Sequence, residues 1–289
     1  MVKVGMNKMP TTWRCGRFLF DFTKRKRPIV MGILNATPDS FSDGGKFRTP
    51  KDAIAQAELM IESGVDLIDI GGESTRPGAE PVSLQEELDR VLPVIEGLKD
   101  CGVPLSIDTY KPETMRQALH AGVDCVNDIW ALRQDGAIDA VLESEDCAIV
   151  LMHMQRDPLT MQFNPEYHDV IVQVKQFLQE QADQLIVKGV NASRIAVDPG
   201  FGFGKSLEHN LKMLADFESF SNLGYPVLAG ISRKSMIGKI TGKETNERVA
   251  PSIAAAIMAA DRGAKIVRVH DVSETVDALK LWEAVQDAS

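Results

Sequence analysis

The chain has no pair of cysteines at metal-binding or redox spacing: Cys15, Cys101, Cys125 and Cys147 are its only four, each isolated in its own stretch. Neither a disulfide framework nor a thiolate zinc site is expected, and the four read as reduced core thiols. A long apolar run is missing too. The longest, IAAAIMAA at Ile253 to Ala260, falls far short of the roughly 20 residues needed to span a bilayer, and no apolar stretch of signal-peptide length flanks the basic Lys24-Arg25-Lys26-Arg27. These absences predict a cytoplasmic protein without membrane contact. Positive charge is not in excess: 32 Lys and Arg against 41 Asp and Glu give a net charge of −9. That balance argues against nucleic acid as a partner and leaves a local basic pocket for a phosphorylated small molecule.

A working phosphate loop is also absent, although DPGFGFGKS (Asp198 to Ser206) imitates one with its terminal Gly-Lys-Ser. The glycine required five residues before Gly204 is replaced by Pro199, which has no N–H to give a phosphate. Gly200, Gly202 and Gly204 alternate as G-x-G-x-G and so miss the dinucleotide spacing as well.

What is present is a repeat. Eight β-rich runs recur, each ending in a polar or glycine-rich turn and followed by helical periodicity: Ile29 to Asn35, Asp66 to Gly72, Val103 to Thr109, Val123 to Ile129, Ala148 to Met154, Arg194 to Gly200, Pro226 to Ser232 and Lys265 to Asp271. Ser83 stands three before Glu86 in a capping-box pattern at the head of one intervening helix. Near-continuous apolar strands alternating with helices predict a parallel sheet buried on both faces, and eight units in 289 residues predict a single-domain α/β protein, a closed (β/α)8 TIM barrel. Residues 1–27 fall outside the repeat as an N-terminal extension in which WRCGRFLFDF is expected to form a hairpin closing the barrel bottom; residues 28–289 form the barrel.

Active sites of such barrels lie at the C-terminal ends of the strands. The residues there are Asn35; Glu73-Ser74-Thr75-Arg76; Asp108; Asn127-Asp128; Met152-His153; Asp198; Ser232-Arg233-Lys234; and Arg268 with His270. Asp108, Asp198 and Asn127 supply acceptors and an amide from three strands, a set that suits a ligand with an aminopyrimidine edge. Arg268 and His270, two apart on one strand, share a face, as do Ser232 and Lys234, in the region where this fold commonly binds phosphate. Asn35, on the neighbouring first strand, is a candidate ligand for a Mg²⁺ that arrives with its phosphates, because one amide alone makes no metal site. The long segments after the first two strands read as lids or binding loops. His120, His168 and His209 read as surface or capping residues, and His153 as a core partner.

Seven stretches carry a resemblance: MGILNATPDSFSDGG, DIGGESTRPGA, SIDTYKPE, VNDI, DPGFGFGKS, GISRKSMIG and RVHDV, in register from the first strand to the last. The chain resembles the dihydropteroate synthases, pterin-binding enzymes of the folate pathway, over residues 14–285. The resemblance implies a transferase joining (7,8-dihydropterin-6-yl)methyl diphosphate to 4-aminobenzoate. It implies that Asp108, Asn127, Met152, Asp198, Lys234 and Arg268 hold the pterin, and that Asn35, Arg76, Arg268 and His270 hold the diphosphate with Mg²⁺ on Asn35. Thr75, Pro77, Phe203, Ser232 and Lys234 would take aminobenzoate, Phe201 and Phe203 would wall the site, and Asp43, Lys234, Arg268 and His270 would carry the chemistry, with Asp39 organising the first loop. Sulfonamides would compete at the aminobenzoate mouth, and a homodimer through barrel helices, involving Arg248 to Arg262, would be expected. Ala36 and Trp130 depart from the family pattern and are expected to touch no ligand contact. Pterin-binding methyltransferases share the pterin-reading positions but have no need of NATPDSFSDGG, Lys234 or the Arg268/His270 pair; a non-catalytic pterin-binding paralogue is the other alternative.

Overall fold

A computed structural model of the chain describes residues 11–37, 49–74, 81–155 and 165–288. Two short strands, β1 (Thr12–Cys15) and β2 (Phe18–Asp21), pair antiparallel across a turn in which Gly16 takes a φ of +56°. Eight parallel strands follow: β3 (Ile29–Asn35), β4 (Leu67–Gly71), β5 (Leu105–Asp108), β6 (Cys125–Asp128), β7 (Ala148–Met152), β8 (Ile195–Asp198), β9 (Leu228–Ala229) and β10 (Ile266–Val269). Each pairs with its successor, β10 returns to β3, and the Val197–Val227 bridge joins β8 to the β9 segment, so the sheet closes. The (β/α)8 barrel read from the repeat is the observed fold.

The strands lie where their apolar runs place them but are shorter. β9 is the extreme case, two residues where seven are expected. Pro226 has no N–H for the ladder, and only its carbonyl, accepting from Val197 N at 3.0 Å, is used there. Beyond Ala229 the chain turns inward with Gly230 to begin the site rather than extend the sheet.

Helices α1 (Pro50–Glu62), α2 (Leu84–Leu98), α3 (Pro112–Ala121), α4 (Ala137–Leu142), α5 (Val170–Val187), α6 (Leu207–Ala215), α7 (Ser235–Thr241), α8 (Val249–Asp261) and α9 (Val272–Asp287) form the outer ring. Ser83 caps α2 at Glu86 N, and Ser206 and His209 cap α6 reciprocally. Outward strand positions such as Val30, Ile68, Ile107 and Val197 pack under these helices with Phe201, Phe217 and Phe220. Inward positions Ile29, Met31, Leu67, Cys125, Val150, Ala196, Leu228 and Ile266 fill the lower barrel, with Trp13 of the hairpin buried among them. The hairpin is thus a bottom plug. Its Trp13 Nε1 donates to Arg194 O at 3.3 Å, and Arg17 pairs with the buried Asp124 at 3.0 Å. The basic run Lys24 to Arg27 is spent locally: Arg25 and Arg27 on Asp66, Lys24 on Asp21, and Lys26 on Asp287.

Because Phe217 is fully buried and stacked on Phe201 at 6.1 Å, Phe217→Ala is expected to cost about 3–5 kcal/mol of stability with little change in catalytic constants. Urea titration beside steady-state assays checks both.

Candidate active site

Strand alternation sends Asp69, Asp108, Asn127 and Arg268 to the barrel axis above the apolar filling. Register puts Gly71 beside Asp108 and Asp108 beside Asn127. Arg268 forks across the floor, donating from Nε to Asp69 Oδ2 at 2.6 Å and from a terminal nitrogen to Asp108 Oδ2 at 2.6 Å. Asn127 Nδ2 donates to the same Asp69 oxygen at 3.0 Å, which leaves its amide oxygen facing away from Asp69 as an acceptor. Burial pushes the Asp108 carboxyl up to about 7, with Arg268 opposing and Asp69 adding to the rise. For Arg268, burial works to lower the pKa, but the Asp69 and Asp108 carboxylates outweigh it and hold the guanidinium charged. Asp108 Oδ1 is buried and has no hydrogen-bond partner among the described residues, so the floor presents an oxygen whose burial is uncompensated.

Across the barrel, Asp198 closes β8 and accepts from Gly200 N at 2.7 Å. Burial raises its pKa against the pull of Lys234 and this N–H. The Lys234 ammonium donates to Phe201 O and stands 4.6 Å from the centre of the Phe203 ring. Burial lowers it to about 8, with Asp198 opposing. A Cβ added to Gly230 would lie 3.8 Å from both Lys234 Nζ and Asp198 Oδ2, which places the two side chains on the same side of this glycine. The lysine is aimed by its neighbour: Arg233 takes a left-handed φ of +56°, unusual for a side-chain-bearing residue. Three contacts hold that conformation, namely the two-pronged ion pair with Asp271, Arg233 N on Ser252 Oγ at 2.9 Å, and Arg248 on Arg233 O at 3.0 Å.

Ser232 Oγ accepts from His270 N at 3.2 Å and lies 3.0 Å from His270 Nδ1. Ser232 thus holds His270 by both its backbone and its ring, and which of Oγ and Nδ1 donates follows the imidazole tautomer. Asn35 ends β3 within reach of the floor: a Cβ on Gly71 would stand 3.9 Å from Asn35 Oδ1 and 3.7 Å from Asp108 Cβ. Met152 and Met154 pack with Ile129 in a rim cluster joined by Tyr110, Trp130 and Phe203.

A family model described as Pterin binding enzyme matches residues 31–270, from inside β3 to the residue after β10. The chain belongs to this pterin-binding enzyme family. It is 48% identical over 277 residues to the dihydropteroate synthase of Neisseria meningitidis serogroup C, covering 94% of this chain and 97% of that protein. It is similar to the crystal structure of Burkholderia cenocepacia dihydropteroate synthase complexed with 7,8-dihydropteroate, with a TM-score of 0.88 and 52% identity over 97% of this chain and 98% of that one. The Xanthomonas albilineans dihydropteroate synthase with 4-aminobenzoic acid gives a TM-score of 0.88 and 50% identity over 96% and 98%.

Against this family frame, the fold gathers Asn35, Asp108, Asn127, Met152, Asp198, Phe203, Ser232, Lys234, Arg268 and His270 at one rim. Asp39, Asp43, Thr75, Arg76 and Pro77 lie outside the described residues. Four expectations change. Phe201 is no wall of the site, because its ring is fully buried outside the barrel against Phe217 and only its carbonyl faces inward, to Lys234. Asp128 turns away to accept from Trp130 N and Leu132 N, both at 2.7 Å, where Ala131 and Leu132 adopt left-handed φ values. Arg233 spends its side chain on Asp271. Trp130 packs in the cluster that holds Met152 and Phe203, so this departure from the family pattern shapes the rim.

The reading by sequence missed Asp69 as a floor residue. Its signal was available: a carboxylate inside an apolar strand at the same parity as the inward Leu67 and Gly71. Glu73 was also undervalued, since it accepts from Tyr110 at 2.8 Å and from Lys111, and Lys111 lies 3.1 Å from Glu87. His120 is exposed near the end of α3, and His168 is exposed. His153 is buried against Lys205 and, edge-on, Phe177.

No group of three or more His, Cys, Asp or Glu able to hold a metal exists among the described residues. Asn35 is compatible with Mg²⁺ in one way only: its amide on β3, beside β10, is a single hard oxygen donor, enough to add one ligand to an ion that already carries others. Among the described residues no helix is long and apolar enough to cross a membrane.

Proposed function

We propose that the chain catalyses the dihydropteroate synthase reaction, in which the amine of 4-aminobenzoate replaces diphosphate on the methylene of (7,8-dihydropterin-6-yl)methyl diphosphate. The observation that carries this reading is the floor on which Arg268 bridges Asp69 and Asp108, Asn127 offers an amide oxygen and Asp198 faces Lys234. Donors and acceptors from five strands and the N-cap of α7 converge there in a set suited to one flat, amide-rich heterocycle. Asp108, Asp198 and Asn127 bind its edge, Lys234 donates to it, Met152 packs on it, and Arg268 lies over its face.

In a dissociative substitution the C–O bond to diphosphate breaks, the pterin ring delocalises the cation left on the methylene, and the amine then forms the C–N bond and loses its proton. Arg268 and His270 stabilise the growing negative charge, with Asn35 and Arg76 completing the anion site. A Mg²⁺ on the diphosphate and Asn35 oxygen would neutralise the leaving group. Phe203, Ser232 and Lys234 form the described part of the aminobenzoate mouth, completed by Thr75 and Pro77, and sulfonamides compete there. Asp43 is assigned to the cation and Asp39 to its loop. The assembly is inferred to be a cytoplasmic homodimer whose contact covers Met258 on α8 and Leu281 on α9, both exposed.

The test is a coupled assay of the purified chain with both substrates and Mg²⁺. Dihydropteroate and diphosphate are expected in equal amounts. Pterin diphosphate binding without either product would favour the non-catalytic paralogue.

A further inference from the structure

The lysine that makes Asp198 to Ser206 look like a phosphate loop points the other way. Lys205 is buried, and its ammonium donates to Gly200 O at 2.8 Å, Phe203 O at 2.9 Å and His153 O at 3.2 Å, with His153 Nδ1 at 3.0 Å. These acceptors converge because the chain curls around the side chain. Gly200, Gly202 and Gly204 have φ values of +71°, +80° and +62°, and a Cβ at Gly200 would meet His153 O at 2.0 Å. His153 is kept neutral, its pKa lowered to about 2 by burial and by Lys205, so the imidazole does not repel the lysine, whose own pKa burial pulls well down against the attraction of Asp198.

The same turn is gripped from outside the barrel. Asn210 on α6 accepts from Gly202 N at 2.7 Å and donates to Ser206 O at 2.7 Å and Lys205 O at 3.3 Å. On its pocket side the turn presents Phe201 O and the Phe203 ring to Lys234. The floor residues Asp69, Asp108, Asn127 and Arg268 sit on other strands and are bonded to one another.

We propose that Lys205 is a positioning residue for the aminobenzoate end of the site: together with Asn210 it fixes the turn that sets Phe203 and the Phe201 carbonyl against Lys234. The inference rests on the dihydropteroate synthase reading. It assigns a buried lysine amine to organising backbone carbonyls rather than to binding phosphate. Loosening the turn displaces the aminobenzoate wall first; of the pterin-facing residues only Asp198, through Gly200 N, and Lys234, through Phe201 O, are bonded to the turn, while Asp69, Asp108, Asn127 and Arg268 hold one another.

The experiment compares the full chain with Lys205→Met and Asn210→Ala in steady-state diphosphate release, varying each substrate in turn. The KM for aminobenzoate is expected to rise about tenfold or more in both variants, with the KM for pterin diphosphate within about threefold of wild type. Unchanged constants, even with a lowered Tm, overturn the proposal and leave Lys205 a stability residue; so does a parallel rise of both KM values. Asn210→Ala decides alone if Lys205→Met does not fold, because it leaves the buried ammonium caged. If wild type makes no dihydropteroate, the functional reading fails and the positioning role goes with it. If wild type is active and the variants match it, only the positioning role fails.

Discussion

Lys234→Met is expected to lower kcat/KM about 10²- to 10³-fold while leaving Tm at pH 7 at or above that of wild type. Methionine keeps most of the stem that passes Gly202 but removes the ammonium that donates to Phe201 O and feels the charge of Asp198. Burial drives the pKa of this lysine down to about 8, which means the fold bears a cost for keeping it charged at neutral pH. The sign follows from linkage: with the folded pKa below the unfolded value of about 10.4, the unfolded chain binds more protons between them, so stability rises with pH across that window. In the Met variant this rise should flatten. The same proton controls activity, so kcat/KM of the wild-type chain is expected to fall on the alkaline side with a midpoint near pH 8. An alkaline limb that persists unshifted in Lys234→Met would assign it to another group.

The barrel was legible because a parallel strand covered on both faces must be apolar nearly throughout, and eight such runs alternate with helical segments. Most site residues were legible for a related reason: a polar residue ending such a run emerges at the C-terminal rim, as Asn35, Asp108, Asp198 and Arg268 do. Legibility failed where a residue acts from within the run or through the backbone. Asp69 looks like an interruption of Asp66 to Gly72 until strand parity is followed to the barrel axis. Asp271 and Ser252 lie 38 and 19 positions from Arg233, and only the closed barrel and the return of α8 bring them to a strained peptide that aims Lys234. Lys205 was legible only in what it does not do, because Pro199 already excludes a phosphate loop. Its Gly-Lys-Ser setting suggests phosphate, but the three left-handed glycines turn the carbonyls inward, and carbonyls select a cation.

Arg268→Ala is expected to lose about 10²-fold or more in kcat/KM and, separately, about 3–5 kcal/mol of stability at pH 8, because it strands Asp69 and Asp108 as buried carboxylates without their shared partner. The stability deficit should depend on pH in a definite direction. Burial already holds the Asp108 proton up to about 7 while Arg268 opposes that rise, so removing the guanidinium lifts the folded pKa further above the unfolded value of about 3.9. A group raised in the folded state favours folding at low pH and loses that contribution as pH climbs through its folded pKa. The deficit of Arg268→Ala should therefore shrink to less than about half on going from pH 8 to pH 5, where the stranded Asp108 keeps its proton. Urea titrations at the two pH values measure it, and equal deficits would mean that Arg268 does not act by compensating these carboxylates. Arg268→Lys separates the two roles. A point charge can return part of the compensation, but one ammonium cannot span Asp69 and Asp108 as the fork does or lie flat on a heterocycle, so stability should recover well before activity does.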